Sequence, residues 1–283
     1  MRFDENAQLD TSGVDDLRGS RGGGGIGGRV AAGGGGLGVV GLILYFVLSQ
    51  FAGMDLGGID VGGGYGGLSG VSSSGQTADS GRLQQSCRTG ASANTSTDCQ
   101  VVAVLNSLDS YWSDSARSGT SFERPRTNFF DGGVNTGGCG SATSDTGPFA
   151  QAYVIAHEYG HHVQNVLGTN RRVGNDTGPT SGSVRLELQA DCYAGVWAGH
   201  ATTMPGSSGR PLITDLTQDD VDAALDTASK IGDDYIQTNL DGGQVDESQF
   251  SHGSSAQRER WFTTGVESGN PARCDTFSAR SLG

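Results

Sequence analysis

The chain has 283 residues, 49 of them glycine, with 34% apolar and 17% charged residues and a formal net charge of −13. The acidity carries no basic run and no interleaved aromatics, which excludes a nucleic-acid surface, because phosphate contacts need clustered Lys or Arg. Glycine crowds the first quarter, so the stretch able to bury a sizeable core starts near Ser86 and provides one ordinary domain, residues 86–283.

Residues 1–33 are polar and Gly-rich. No charge occurs from Val30 to Met54, and LGVVGLILYFVLSQFAGM is strongly apolar. Roughly 20 such residues cross a hydrocarbon layer, which predicts one transmembrane helix over 34–54. A cleaved secretory signal and a buried core helix are the alternatives; a signal would begin with a short basic segment, whereas a long polar stretch precedes this one. Arg18, Arg21 and Arg29 lie before the span, and no Lys or Arg follows until Arg82. By the positive-inside rule the N-terminal segment is expected in the cytoplasm and the C-terminal domain outside the cell membrane. Residues 55–85, rich in Gly and Ser, read as a flexible linker.

Helical periodicity predicts a helix near 97–117, where Val101, Val104, Leu105, Leu108 and Trp112 supply core contacts. The next helix spans 149–167, with Asp145 or Thr146 to cap it, Pro148 in its first turn and Gly168 as its stop. It carries AHEYGHHVQ. His157 and His161, four apart, project from one face so that both imidazoles can meet one Zn²⁺, and Glu158 stands beside the metal where a base for a metal-activated water is needed. His162 faces away and has no assigned role.

Two histidines leave a catalytic zinc one protein ligand short. A helix over 183–199, with Ser183 as its cap, places Glu187 and Asp191 on one face. Glu187 completes a His2Glu set, and Asp191 accepts the free N–H of a ligand histidine. A plain pair of surface carboxylates is the alternative. The acidic patches at 218–220 and 232–234 read as the start and end of a helix over 217–231. In FSHGSSAQRERWF, Ser254 and Gln257 form a capping-box pattern for a helix over 255–267. His252, on the loop before it, either donates to an oxyanion or faces water. Tyr159, Tyr193 and His200 are lesser candidates.

At these residues the chain resembles the neutral zinc metallopeptidase family of membrane-anchored bacterial proteins. The resemblance runs through MRFDENAQLDTSGVDDLRG, the Gly-rich anchor, GCG at 138–140, AQAYVIAHEYGHHVQ, RLELQADCYAGVW, IGDDYIQ, SHGSSAQR and NPARCDTF. It implies one zinc per chain on His157, His161 and Glu187, with Glu158 as the catalytic base and a peptide or protein substrate. In the family, GPF is followed by a further strand and helix, opening on a Tyr-Cys-Pro-Ala-Asp type motif, before the AQAYVIAHE helix resumes. Here Phe149 runs straight into Ala150. If that strand is the one that accepts an extended peptide by strand addition, zinc can bind while cleavage fails.

An exported domain forms disulfides, and five cysteines leave one over. Cys87 with Cys99 would close a short loop and Cys192 with Cys274 would tie the second zinc helix to the C-terminus; Cys139 is then the orphan, its expected partner lying in the absent segment, and zinc ligation by Cys139 is the weaker alternative because it has no CxxC companion. The expected fold is α+β, mostly helical, a zincin-like domain after a single membrane helix. The expected function is a membrane-anchored zinc-dependent metallopeptidase, and the rival is a membrane-tethered zinc-binding or interaction protein without hydrolysis.

Overall fold

Helices carry the structure and two pairs of short strands close it, an α+β arrangement. The computed structural model describes residues 1–16, 80–114, 122–129, 148–174, 176–206 and 209–283. In chain order the elements are β1 (Arg2–Phe3), β2 (Val14–Asp16), α1 (Ser80–Ser86), α2 (Gly90–Ala93), α3 (Thr97–Trp112), β3 (Thr127–Phe129), α4 (Pro148–Leu167), α5 (Gly182–His200), β4 (Ile213–Asp215), α6 (Gln218–Lys230), α7 (Asp233–Tyr235) and α8 (Ser255–Ser268).

The helix ends follow local chemistry. Thr217 and Ser254 each accept from the backbone three residues on, while Asp220 and Gln257 reach back, two reciprocal capping boxes. Gly168 follows α4 with φ 72°, a left-handed stop. Two boundaries differ from expectation. α3 ends at Trp112, its last core contact, because Ser113 and Asp114 compete for the backbone in non-helical conformations. α5 is capped by Ser181, whose hydroxyl accepts from the Val184 amide at 3.2 Å; Ser183 is already the second residue of the helix.

α5 is buried without a break from Glu187 to Ala198, which makes it the central helix rather than an amphipathic one. α4 packs on one side of it and α8 on another. Both contacts rest on glycine. A Cβ on Gly160 would come within 3.0 Å of the Ala190 backbone, and at the α5–α8 crossing Gly195 meets the Phe262 carbonyl while Gly265 meets that of Cys192, each at 2.1 Å from the missing Cβ. Phe149 stacks on Trp197, so the start of α4 is anchored in the core two turns before His157. Cys87 is bonded to Cys99 and Cys192 to Cys274. The second bond closes a loop of 82 residues; in the chain-entropy account such a loop is worth about 4.5 kcal/mol.

Residues 1–16, expected as part of a separate cytoplasmic segment, are built into this unit. β1 pairs antiparallel with β4 and β2 pairs parallel with β3. Phe3, Ala7 and Val14 are each 3% exposed in the common core. The reason the sequence hid this is that strands of two and three residues carry no periodicity, and their partners lie more than a hundred positions away. The expected span at 34–54 and the caps at Asp145 and Thr146 lie outside the described residues. Among the described residues, no helix is long and apolar enough to cross a membrane.

Candidate metal centre

α4 and α5 turn three buried acceptors toward one point. His157 Nε2 lies 3.1 Å from His161 Nε2. Glu187 Oε2 is 3.3 Å from the first and Oε1 3.3 Å from the second. The four-residue spacing sets the two imidazoles one turn apart, edge to face, and the absence of a side chain at Gly160, between them, lets α5 bring Glu187 close.

The outer ring nitrogens decide what the inner ones can do. His157 Nδ1 is 2.6 Å from Asp191 Oδ1, an acceptor only, so Nδ1–H donates there. His161 Nδ1 is 2.8 Å from Gln164 Oε1, and the Gln164 amide nitrogen is committed to the Leu186 carbonyl at 2.7 Å and to Gln189 at 3.1 Å. Both Nδ1 protons are thereby fixed, and both Nε2 lone pairs face each other and the Glu187 carboxylate. Three converging acceptors repel unless a cation sits among them. Donor atoms at about 2.1 Å from a tetrahedral zinc stand roughly 3.4 Å apart, close to the separations here. His157, His161 and Glu187 form a buried group that could hold one metal ion.

The charge balance agrees. Glu158, Glu187 and Asp191 are 0%, 5% and 0% exposed, against a single buried guanidinium among the described residues, Arg258 at 0%. With the imidazoles neutral and Glu187 and Asp191 ionised, Arg258 offsets one of the two charges; ionisation of Glu158, which a bound cation would favour, brings the excess to two, the complement of one divalent ion. Both Glu158 oxygens lack a hydrogen-bond partner. Burial pushes the Glu158 carboxyl up to about 8, because no donor repays the lost hydration, although the His161 charge opposes the shift. Burial would also raise Glu187, but when the facing imidazoles are protonated, standing in for the cation, the charge of His161 and hydrogen bonds from both rings hold it well below the ordinary carboxylate range.

Asp191 Oδ1 is the hub behind the cluster. Besides His157 it accepts from the Tyr153 hydroxyl at 2.7 Å and from Arg258 at 3.0 Å. Burial and the adjacent Asp191 charge keep the Tyr153 phenol protonated, hence a donor. Arg258 Nη1 lies 4.0 Å from Glu187 Oε2, so one guanidinium faces both carboxylates that border His157.

His252 sits on the loop over α5, where a Cβ on its neighbour Gly253 would touch Val184 and Leu188, the residues flanking Glu187. Its Nδ1 is 3.0 Å from Asp233 Oδ1, and Asp233 Oδ2 accepts the amides of Ser251, His252 and Gly253 at 2.7 to 2.9 Å. Asp233 was expected as a helix end; it begins α7 and clamps this loop. Burial opposes protonation of His252, but the bond to Asp233 and the Glu187 charge raise its pKa.

The other candidates lie apart from the cluster. His162 bonds the Glu123 carbonyl at 2.6 Å and packs edge-on to Phe122. Tyr159 donates to Asp109, Tyr193 packs against Trp112, and His200 meets the Gly269 carbonyl. Sequence reasoning passed over Gln164, Tyr153, Asp233 and Arg258. The spacing of Gln164, three past His161 on the same face, was a usable signal, whereas Arg258 gave none, since its burial depends on how α8 crosses α5.

A family profile described as "Putative neutral zinc metallopeptidase" matches the chain twice, over residues 1–150 and 149–277. An uncharacterized protein of Mycobacterium tuberculosis is 42% identical over 228 residues, 70% of this chain and 76% of the relative. The uncharacterized protein YpfJ of Escherichia coli K12 is 33% identical over 316 residues, 98% of this chain and 99% of the relative. Since 316 aligned positions exceed the 283 residues here, that relative has at least 33 positions with no counterpart in this chain. No solved structure matches.

Proposed function

The chain belongs to the putative neutral zinc metallopeptidase family, and from that premise we propose that it hydrolyses peptide bonds at the cluster of His157, His161 and Glu187. The observation that carries the reading is the pair of imidazoles whose Nδ1 protons are tied down so that both Nε2 lone pairs face one carboxylate. Zinc bound there supplies Lewis acidity to a scissile carbonyl and lowers the pKa of an attacking water.

The chain's own residues do the rest. Glu158 is the proton carrier: a buried carboxylate without a partner takes the water's proton and passes it to the leaving amine. His252, held by Asp233 in a form that favours the protonated ring, donates from Nε2 to the developing oxyanion. Asp191 and Gln164 keep the ligand tautomers, and Arg258 neutralises Asp191. The two disulfides suit an oxidising compartment, so we place the domain outside the cytoplasm.

One observation favours a second reading. The family match breaks at residues 149–150, where Phe149 joins Ala150, and a peptide-binding strand lost at that join would leave a zinc-binding protein without hydrolysis. Zinc content and cleavage of an unstructured protein, measured on one preparation of the full chain, separate the two. The peptidase reading expects about one zinc per chain and chelator-sensitive cleavage that Glu158→Gln lowers by roughly 10²- to 10⁴-fold with zinc retained. Full zinc without cleavage supports the second reading, and cleavage unchanged in Glu158→Gln contradicts the role given to that residue.

A further inference from the structure

The amino-terminal arm, residues 1–16, precedes the apolar stretch at 34–54, and the metal-site domain follows it. A single crossing would put the two on opposite sides of a membrane, yet their contacts are extensive. β1 hydrogen-bonds to β4 and β2 to β3. The Asp4 amide donates to the Leu212 carbonyl at 2.9 Å, that of Leu9 to Arg88 at 3.0 Å, and the Gly90 amide to the Ala7 carbonyl at 2.9 Å. Asn94 holds Phe3 by both its backbone groups, and Asn106 does the same for Asp10.

The junctions are the decisive points. Asp16, 1% exposed, ends the described arm, and Arg82 lies in the helix where the described chain resumes; their side chains form an ion pair at 2.8 Å. A membrane's hydrocarbon layer is about 30 Å thick. An ion pair cannot reach across it, so Asp16 and Arg82 lie on one side whenever the arm is seated.

The seat is made for the arm. Gly90 lies against it so closely that a Cβ there would come within 2.1 Å of the Asp4 carbonyl oxygen. Arg124 bridges Asp10 of the arm to Asp109, which in turn accepts from Tyr159 on α4, the residue after Glu158. Undocking would expose Phe3 and Val14, leave Asp16 without Arg82, and open the edges of β3 and β4.

We propose that the arm, residues 1–16, and the metal-site domain fold together in one compartment, on the same side of any membrane. The inference is independent of the peptidase reading, because it rests on the arm's seat and not on the metal. It replaces the arrangement expected from the arginine bias, in which residues 1–33 stay in the cytoplasm and 86–283 are exported.

The test uses the full chain in a bacterial host, with Cys139→Ser as background and a single exposed cysteine at Glu5→Cys or at Glu267→Cys. A membrane-impermeant maleimide is applied to spheroplasts before and after permeabilisation. The proposal expects both positions to label together, either both from outside or both only after permeabilisation; labelling of Glu267→Cys from outside with Glu5→Cys reached only after permeabilisation, or the reverse, overturns it. A second measurement follows hydrogen exchange of the purified full chain. The Asp4 and Leu9 amides should exchange at least tenfold faster in Gly90→Leu than in the unaltered protein, with the 182–200 helix unchanged. Equal, fast exchange in both proteins would show that the arm is not seated and would overturn the proposal.

Discussion

Around His157, charged groups are buried against one another: Asp191, Glu187 and Arg258 meet at 3.0 to 4.0 Å with almost no exposure. The amino-terminal arm is tied differently. Apart from the pair between the Met1 amino group and Asp220, its ion pairs keep an exposed partner, such as Arg82 at 58% and Arg126 at 61%, and its other holds are three apolar anchors and short strand pairs. The contrast follows from the dielectric. A buried charge is costly once its partner is removed, whereas an exposed pair contributes about 0 to 1 kcal/mol and is screened by salt. The metal site should therefore fail abruptly when one charge is lost, and the arm should loosen by degrees.

The largest expected effect breaks the site side. Arg258→Met leaves Asp191 and Glu187 without their guanidinium, and removal of one partner from such a set costs about 3 to 5 kcal/mol. Denaturant unfolding of the metal-loaded protein should show that loss; a variant as stable as the parent would mean that the carboxylates are compensated elsewhere. On the arm side, Phe3→Ala removes the largest apolar anchor and should cost about 3 kcal/mol. Exchange of the arm amides reads the effect, and zinc stoichiometry should stay the same.

Asp191→Asn tests the hub more gently. It keeps the shape but weakens the acceptor for His157 Nδ1–H, and zinc affinity should fall roughly 10- to 100-fold by chelator competition. An unaltered affinity would relegate Asp191 to packing. The smallest effect is in pH. Burial would raise the Asp10 carboxyl, but bonds from Ser12 and Arg124 outweigh it and lower the pKa to about 2. A depressed carboxylate stabilises above its unfolded pKa, near 3.8, and that stabilisation is lost as pH falls toward 2. Arm exchange should thus quicken over that window, modestly because Asp10 is half exposed. Exchange that is flat from pH 4 to 2 would remove Asp10 from the arm's attachments.

The same contrast explains what the sequence disclosed. His157, Glu158, His161 and Glu187 could be picked out because a helix converts spacing along the chain into position on a face, and the five long helices were legible for the same reason. Ser181 was missed in favour of Ser183 because boundaries depend on the cap's own backbone conformation. Asp233 was misassigned, since its work is done through the backbone of a loop some twenty residues away. The arm was read as a separate segment because its composition gave no hint that Phe3, Ala7 and Val14 would find partners near residues 90, 105 and 213. Where structure is local the pattern speaks, and where it depends on distant strand pairing or a buried cation it does not.

The central claim is that two imidazoles and one carboxylate of this chain share a single zinc ion. Zinc-edge X-ray absorption of the full-length protein, with His161→Ala beside it, tests this most directly. The account predicts about one zinc per chain in a first shell of nitrogen and oxygen only, with two imidazole signatures reduced to one or lost in the variant. Sulfur in that shell, or a zinc environment unchanged by His161→Ala, would contradict it.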